Sequence, residues 1–255
     1  MERIARKPLQ GITNIIRFNW HYYVIASVLI TVVLLTSKFL PRALEITAII
    51  ILLFVIAGII ISFVVSWYIY DHSDLYSLNW LDRLHINADK LLVNINAGFD
   101  ETSSLLIQKY PGCKLLVFDF YDSAKHTEIS IERARKAYPA YPGTKKISTT
   151  DIPLKENSVD YIFLIFAAHE IRNNEERIEF FTQLGKSLHA NGKIIVVENQ
   201  RDIYNFIAYN FGFFHFFTAK TWNQTFFKSG LFKDSSFKLT PFISTFVLRK
   251  NGNTA

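Results

Sequence analysis

The chain has one cysteine, Cys113, and only ten glycines in 255 residues. A single cysteine excludes an intramolecular disulfide and fits a reducing compartment. No G-x-G-x-x-G follows the first β-rich stretch, which argues against a nicotinamide-dependent oxidoreductase. One cysteine and dispersed histidines make no recognisable ligand set, so no metal is expected. A dense basic stripe is also missing. The first 70 residues hold six Lys and Arg against two Asp and Glu, and residues 71–255 carry a balance of only +2 out of the total +6. Nucleic acid is therefore not an expected partner. Internal repeats and low-complexity tracts are absent.

Charge is missing from two long runs. No Lys, Arg, Asp or Glu occurs from Phe18 to Ser37, nor in ITAIIILLFVIAGIIISFVVSWYIY from Ile46 to Tyr70. At ~1.5 Å per residue both runs cross a hydrocarbon layer of ~30 Å. Trp20, Tyr22 and Tyr23 begin the first, and Trp67, Tyr68 and Tyr70 end the second, where aromatic rings favour the headgroup zone. The connecting LPRALE is too short for a domain, and Pro41 suits a tight helical hairpin. Arg3, Arg6, Lys7 and Arg17 precede the first run with Glu2 as the sole acid, which places the N-terminus, and with it the part after residue 70, in the cytoplasm. A cleavable signal peptide is the alternative for the first run, but it is long for one and lacks a clear A-x-A site. The expected organisation is a basic N-terminus at 1–17, a two-pass transmembrane hairpin at 18–70, a junction with a leading helix at 71–90, and one domain at 91–250.

That domain alternates. LLVNI (91–95), LLVFD (115–119), KKIST (145–149), DYIFLIF (160–166) and KIIVVEN (193–199) read as strands, most of them continuously apolar as strands covered on both faces are. ETSSLLIQKY, SAKHTEISIERARKAY and NNEERIEFFTQLGKSLHA separate them with helical spacing, the last with Asn173 and Asn174 as candidate caps and an end at Asn191-Gly192. Such repetition predicts a doubly wound, mostly parallel sheet with right-handed crossovers. A helix over 218–230 then leads to two extended runs with no helix between them, which predicts an antiparallel terminal hairpin and seven strands in all.

The first strand runs into LLVNINAGFD (91–100). Together with the order of elements from about 88 to 250, this resembles the class I S-adenosylmethionine-dependent methyltransferases, in particular the broad group that methylates small molecules, quinones and lipids. Where that family usually reads V-L-D-x-G-x-G-x-G, this chain has Val93, Asn94, Ile95, Asn96, Ala97, Gly98, Phe99 and Asp100. The resemblance implies a Rossmann-like fold and S-adenosylmethionine as cofactor. Gly98 supplies a residue without Cβ at the turn, and Asn96 is a common substitute where positive φ is needed. Asn94 replaces the usual acid, a weaker partner for a cationic amine. Asp100 caps the following helix or meets ligand.

Asp119 ends the second strand, where the family's acid accepts both ribose hydroxyls and Phe120 follows it. The alternative is a strand-end cap, for which Asp122 serves equally well. Asp151 and Ile152, in TTDIPL, resemble the adenine site, with the carboxylate taking the exocyclic amine and Ile152 packing on the ring. Ala167 leaves room beside the sulfonium at the end of the fourth strand. Asp160, at its start, is read as structural.

His169 is of the right type to take a proton from a hydroxyl or phenol, with Glu170 orienting it, unless the ring is simply buried or capping. His215 is a second candidate, in YNFIAYNFGFFHFF (204–217), whose eight aromatic residues pack as core or lid, touch a bilayer interface, or enclose an apolar tail. Glu198 ends the fifth strand and either reaches the pocket or pairs with Arg201. The reading is a membrane-anchored methyltransferase acting on a lipophilic small-molecule or lipid acceptor. The alternative is a non-catalytic methyltransferase-like membrane scaffold or ligand sensor, marked by the altered 94–100 loop.

Overall fold

A computed structural model describes residues 6–125 and 128–250. Glu2 and Arg3 of the expected basic N-terminus, and the middle of the helix predicted over 123–138, lie outside them. Two long helices come first, α1 (Gln10–Thr36) and α2 (Arg42–Trp67), joined by a short 3-10 turn and Pro41. They pack side by side, with Tyr23 and Phe63 rings 5.0 Å apart. Few of their residues are buried, and Phe54 and Leu35 are among many large apolar side chains left exposed. Both are long and apolar enough to cross a membrane. α1 is broken at Asn19 (φ −114°), and the Phe18 carbonyl beside the break is taken by Arg133 at 2.6 Å.

The remaining elements are β1 (Leu91–Asn96), α3 (Ser103–Lys109), β2 (Lys114–Asp119), α4 (Ile129–Ala137), β3 (Lys145–Lys146), β4 (Val159–Ile165), α5 (Asn174–Ser187), β5 (Leu188–Asn199), α6 (Ile203–Tyr209), α7 (Ala219–Lys228), β6 (Leu231–Thr240) and β7 (Ile243–Lys250). They form one seven-stranded sheet in the order β3-β2-β1-β4-β5-β7-β6. The five strands from β3 to β5 are parallel, and β7 and β6 run antiparallel. This is the predicted architecture.

Alternate residues of the central strands feed two cores, as the continuous apolar runs require. Ile162 and Leu164 of β4 join Phe180, Phe181 and Trp222 on one face, and Phe163 joins Leu92, Ile195 and Leu81 on the other. Leu75, Leu78, Trp80 and Leu81 are all buried in this second core. The 71–90 segment is thus part of the domain's packing, and each fully buried Leu contributes about 1.5–3 kcal/mol.

Local details differ from expectation. The leading helix over 75–84 is a 3-10 turn at Asn79–Leu84. KKIST pairs as a strand only at Lys145–Lys146, against Phe118 and Asp119 at the end of β2, and then turns into a lone bridge between Ser148 and Asp151. α5, capped by the Asn173 side chain on the Glu176 N–H, stops at Ser187 and β5 begins at once. Gly192 sits inside β5, where a Cβ would meet the Val159 carbonyl at 2.8 Å.

Candidate functional site

The carboxyl ends of β1, β2, β4 and β5 converge on one edge of the sheet, the edge at which open α/β sheets bind ligands. At the end of β1 only Gly98 takes positive φ (+104°), so Asn96 does not play the left-handed role expected of it. Its amide instead closes the turn, donating to the Phe118 carbonyl and accepting from the Gly98 N–H. A Cβ on residue 98 would lie 2.9 Å from the Tyr121 ring and 3.1 Å from Arg135, so a side chain is excluded there by space as well as by backbone. Asn94 is buried and turned inward, donating to Thr102 and Ser103 hydroxyls at 3.0 and 2.8 Å. Asp100 accepts the N–H groups of Thr102 and Ser103, which is the capping role.

Asp119 stands next to this turn, in register with Asn96. One carboxylate oxygen accepts the Tyr121 N–H, and the other lies 2.5 Å from Arg135 of α4, which also donates to the Gly98 carbonyl. Asp119, Gly98 and Asn96 line a small recess with Arg135 on its rim. Phe120 is buried against Phe180 in the core, with ring centroids 5.7 Å apart. Ile152 is likewise in the core, its N–H held by Gln183. Asp151 is exposed and lines neither this recess nor the larger cavity beside it. Ala167 packs beneath the edge in the same core rather than against a cavity.

Glu198, at the end of β5, is fully buried and supports His169, not Arg201, whose guanidinium caps the Phe214 and Phe216 carbonyls. His169 Nδ1 is 2.6 Å from Glu198 Oε2, and the His169 N–H donates to Glu198 Oε1. On its other side His169 Nε2 is 3.2 Å from Glu170 Oε1. His215 reaches the same oxygen with Nε2 at 3.4 Å, while its Nδ1 is 3.3 Å from Glu128. The two imidazole rings cross edge to face at 5.1 Å. Dispersed in sequence, the two histidines thus meet over one carboxylate. Burial opposes charge on the His169 ring, but Glu198 and Glu170 outweigh it and raise its pKa to about 10. The ring is an imidazolium at neutral pH unless another cation takes the proton's place. Burial would raise the Glu170 carboxyl, yet the two histidines hold it well below the usual range.

His169 and Glu170 face a cavity of about 260 Å³ whose far wall is the start of α1, including Gly11, Asn14 and Phe18. This wall is docked firmly. Asp71 accepts the N–H groups of Gly11 and Ile12, Tyr138 donates to Asn14, and Phe18 packs edge-on to Phe99 at 5.8 Å. Arg6 pairs with Glu101 at 2.7 Å, beside the Tyr76 hydroxyl on the same carboxylate. Sequence reasoning missed Arg135, Glu128 and the α1 wall. Only Glu198 carried a signal, as an acid at a strand's carboxyl end.

No family model matches the chain. A 107-residue stretch, 42% of the chain, is 30% identical to a caffeic acid 3-O-methyltransferase of Capsicum annuum, and a stretch of the same length is 25% identical to that of Capsicum chinense. In each case the match spans 26% of the relative's length. Among solved structures, an S-adenosylmethionine-dependent methyltransferase of Methanosarcina mazei aligns with 67% of this chain and 96% of its own, at 13% identity and a TM-score of 0.51. A putative methyltransferase of Haloferax volcanii, solved with the Trm112 methyltransferase activator, aligns at 12% identity over 70% of this chain and 90% of its own, with a TM-score of 0.52. The strand order, the antiparallel end and these superpositions agree that the seven-stranded sheet and its helices have the fold of the class I S-adenosylmethionine-dependent methyltransferases.

Proposed function

We propose that the chain is a membrane-anchored S-adenosylmethionine-dependent methyltransferase acting on a lipophilic small-molecule or lipid acceptor, with N-terminus and catalytic part on the cytoplasmic side. One observation carries the reading. α1, apolar and long enough to span a bilayer, is also a wall of the cavity that holds His169 and Glu170. An acceptor confined to the membrane thus meets the reactive edge along the helix that anchors it, at a raised effective concentration.

The Gly98 turn and the Asp119 carboxylate suit the methionine and ribose parts of the cofactor, since both line one recess and the turn carries no Cβ at 98. Bound there, S-adenosylmethionine supplies a methyl group on a sulfonium whose charge is lost as the methyl departs. The chain's own part is to align the acceptor and deal with its proton. His169, Glu170 and His215 lie together beside the acceptor's cavity, with Glu198 orienting His169, and the His169 imidazolium must give up its own proton before it takes the acceptor's. The adenine partner assigned by resemblance to Asp151 has no support from its exposed position.

Donor binding and transfer to purified full-length protein in detergent test the reading. Radiolabelled methyl is expected to move into a membrane-lipid extract with the wild type and not with Asp119→Ala. No saturable donor binding at millimolar concentration would overturn it. The Asp119–Arg135 pair favours a second reading, a donor-incompetent scaffold, and Arg135→Ala separates the two. Under the scaffold reading that variant binds no donor either.

A further inference from the structure

We propose that His169, Glu170 and His215 bind a divalent transition-metal ion, zinc in the first instance, through the two Nε2 atoms and a carboxylate oxygen. These three ligand atoms lie within 4.8 Å of one another. Each Nε2 stands 3.2 or 3.4 Å from the Glu170 oxygen. Bonds of about 2.1 Å in a tetrahedron put neighbouring ligand atoms about 3.4 Å apart, so two edges of the site already have zinc dimensions.

The outer partners point the same way. His169 Nδ1 faces Glu198 at 2.6 Å and His215 Nδ1 faces Glu128 at 3.3 Å. With an ion bound, a carboxylate behind each ring would hold the hydrogen on Nδ1 and leave the Nε2 lone pair to the metal, the arrangement that orients metal-bound imidazoles. Both Nε2 atoms thus converge on a single carboxylate oxygen, leaving one place between them for a cation. His215 Nε2 is accordingly a buried nitrogen with no hydrogen-bond partner. Two imidazoles and one carboxylate make a borderline donor set that suits zinc better than magnesium or calcium. His169 and Glu170 also face the cavity, so an ion held there is open to a further oxygen ligand. Its role rests on the methyltransferase reading: the acceptor's hydroxyl binds the ion, which lowers the hydroxyl pKa so that its proton leaves to water. The binding itself does not depend on that reading.

Full-length protein in detergent, stripped with EDTA and dialysed, is titrated with Zn²⁺ against a chromophoric chelator, and Co²⁺ is added in parallel and read by visible absorption. The proposal expects one equivalent of Zn²⁺ at micromolar affinity or tighter and the intense bands of four-coordinate Co²⁺. His169→Gln and His215→Gln lose binding, and Glu198→Gln weakens it about 10–100-fold. No stoichiometric uptake by the wild type, or equal uptake by the double His variant, overturns the site. If the double variant does not fold by circular dichroism, His215→Gln, altered at a partly exposed ring, decides the comparison. Calorimetry with S-adenosylmethionine on the same stripped protein keeps the two ideas apart. Donor binding without zinc uptake ends the metal site alone, and zinc uptake without donor binding ends the methyltransferase reading alone.

Discussion

Asp119 and Arg135 form an ion pair of 2.5 Å across the recess beside Gly98. The acid proposed to meet the ribose is held by a residue of the neighbouring helix, and a ligand at that carboxylate must displace the guanidinium. Asp119→Ala is expected to weaken S-adenosylmethionine binding at least about tenfold, the loss of roughly 1.4 kcal/mol of charge-assisted hydrogen bonding. Arg135→Ala should strengthen binding, and only by a few-fold, because the Arg135 side chain is 36% exposed and its pairing is screened. Calorimetry on both variants checks the pair; a loss with Arg135→Ala contradicts competition.

Asn94 stands where the family places an acid, yet Asn94→Asp is expected to destabilise the chain. Its amide donates to two hydroxyls and lies 3.3 Å from Asp100, so a carboxylate there loses donors and faces a second charge. The cost is about 1–3 kcal/mol, read as a lower denaturation midpoint. An unchanged midpoint would mean that the asparagine is not structural.

Glu198 is fully buried and its charge is balanced by His169. Removing one partner of a buried pair leaves the other uncompensated, so Glu198→Ala should cost about 3–5 kcal/mol, and more than Glu198→Gln, which keeps a hydrogen-bond acceptor. Chemical denaturation of EDTA-treated protein measures the order of the two; the reverse order refutes the pairing.

Gly11 meets the helical turn Tyr68–His72 that follows α2 so closely that a Cβ would lie 2.3 Å from the Tyr70 Cβ. Gly11→Val should push the first turn of α1 off Asp71 and lower stability by about 1–3 kcal/mol. A thermal scan in detergent reads this, and a variant as stable as the wild type would show that the docked wall is not tight.

The proposed two-pass arrangement predicts that Phe39→Cys, in the exposed connection between α1 and α2, reacts with a membrane-impermeant maleimide on intact cells. Lys228→Cys, exposed at the end of α7, should react only after lysis. Both are made with Cys113 replaced by Ser. Equal labelling of the two before lysis rejects the topology.

Much of the fold was legible because backbone periodicity is a local property. The charge-free runs marked α1 and α2, apolar runs of strand length marked β1, β2, β4 and β5, and the missing final crossover marked the β6–β7 hairpin. Edge strand β3 was overestimated because its partner β2 ends at Asp119, two positions into the pairing, which no local pattern in KKIST reveals.

The sequence by itself determined which residues stand at the carboxyl ends of the strands: Asn96, Asp119, the His169 turn and Glu198 follow from the order of elements alone. Only the tertiary structure decided which of them meet. The direction of α4 brought Arg135 onto Asp119, the return of the chain after α6 brought His215 onto Glu170, and the docking of α1 closed the cavity wall. It also left Asp151 in solvent. Strand ends are set by hydrogen-bond ladders that a local pattern encodes, whereas the approach of helices and the aim of side chains depend on packing between segments far apart in the chain.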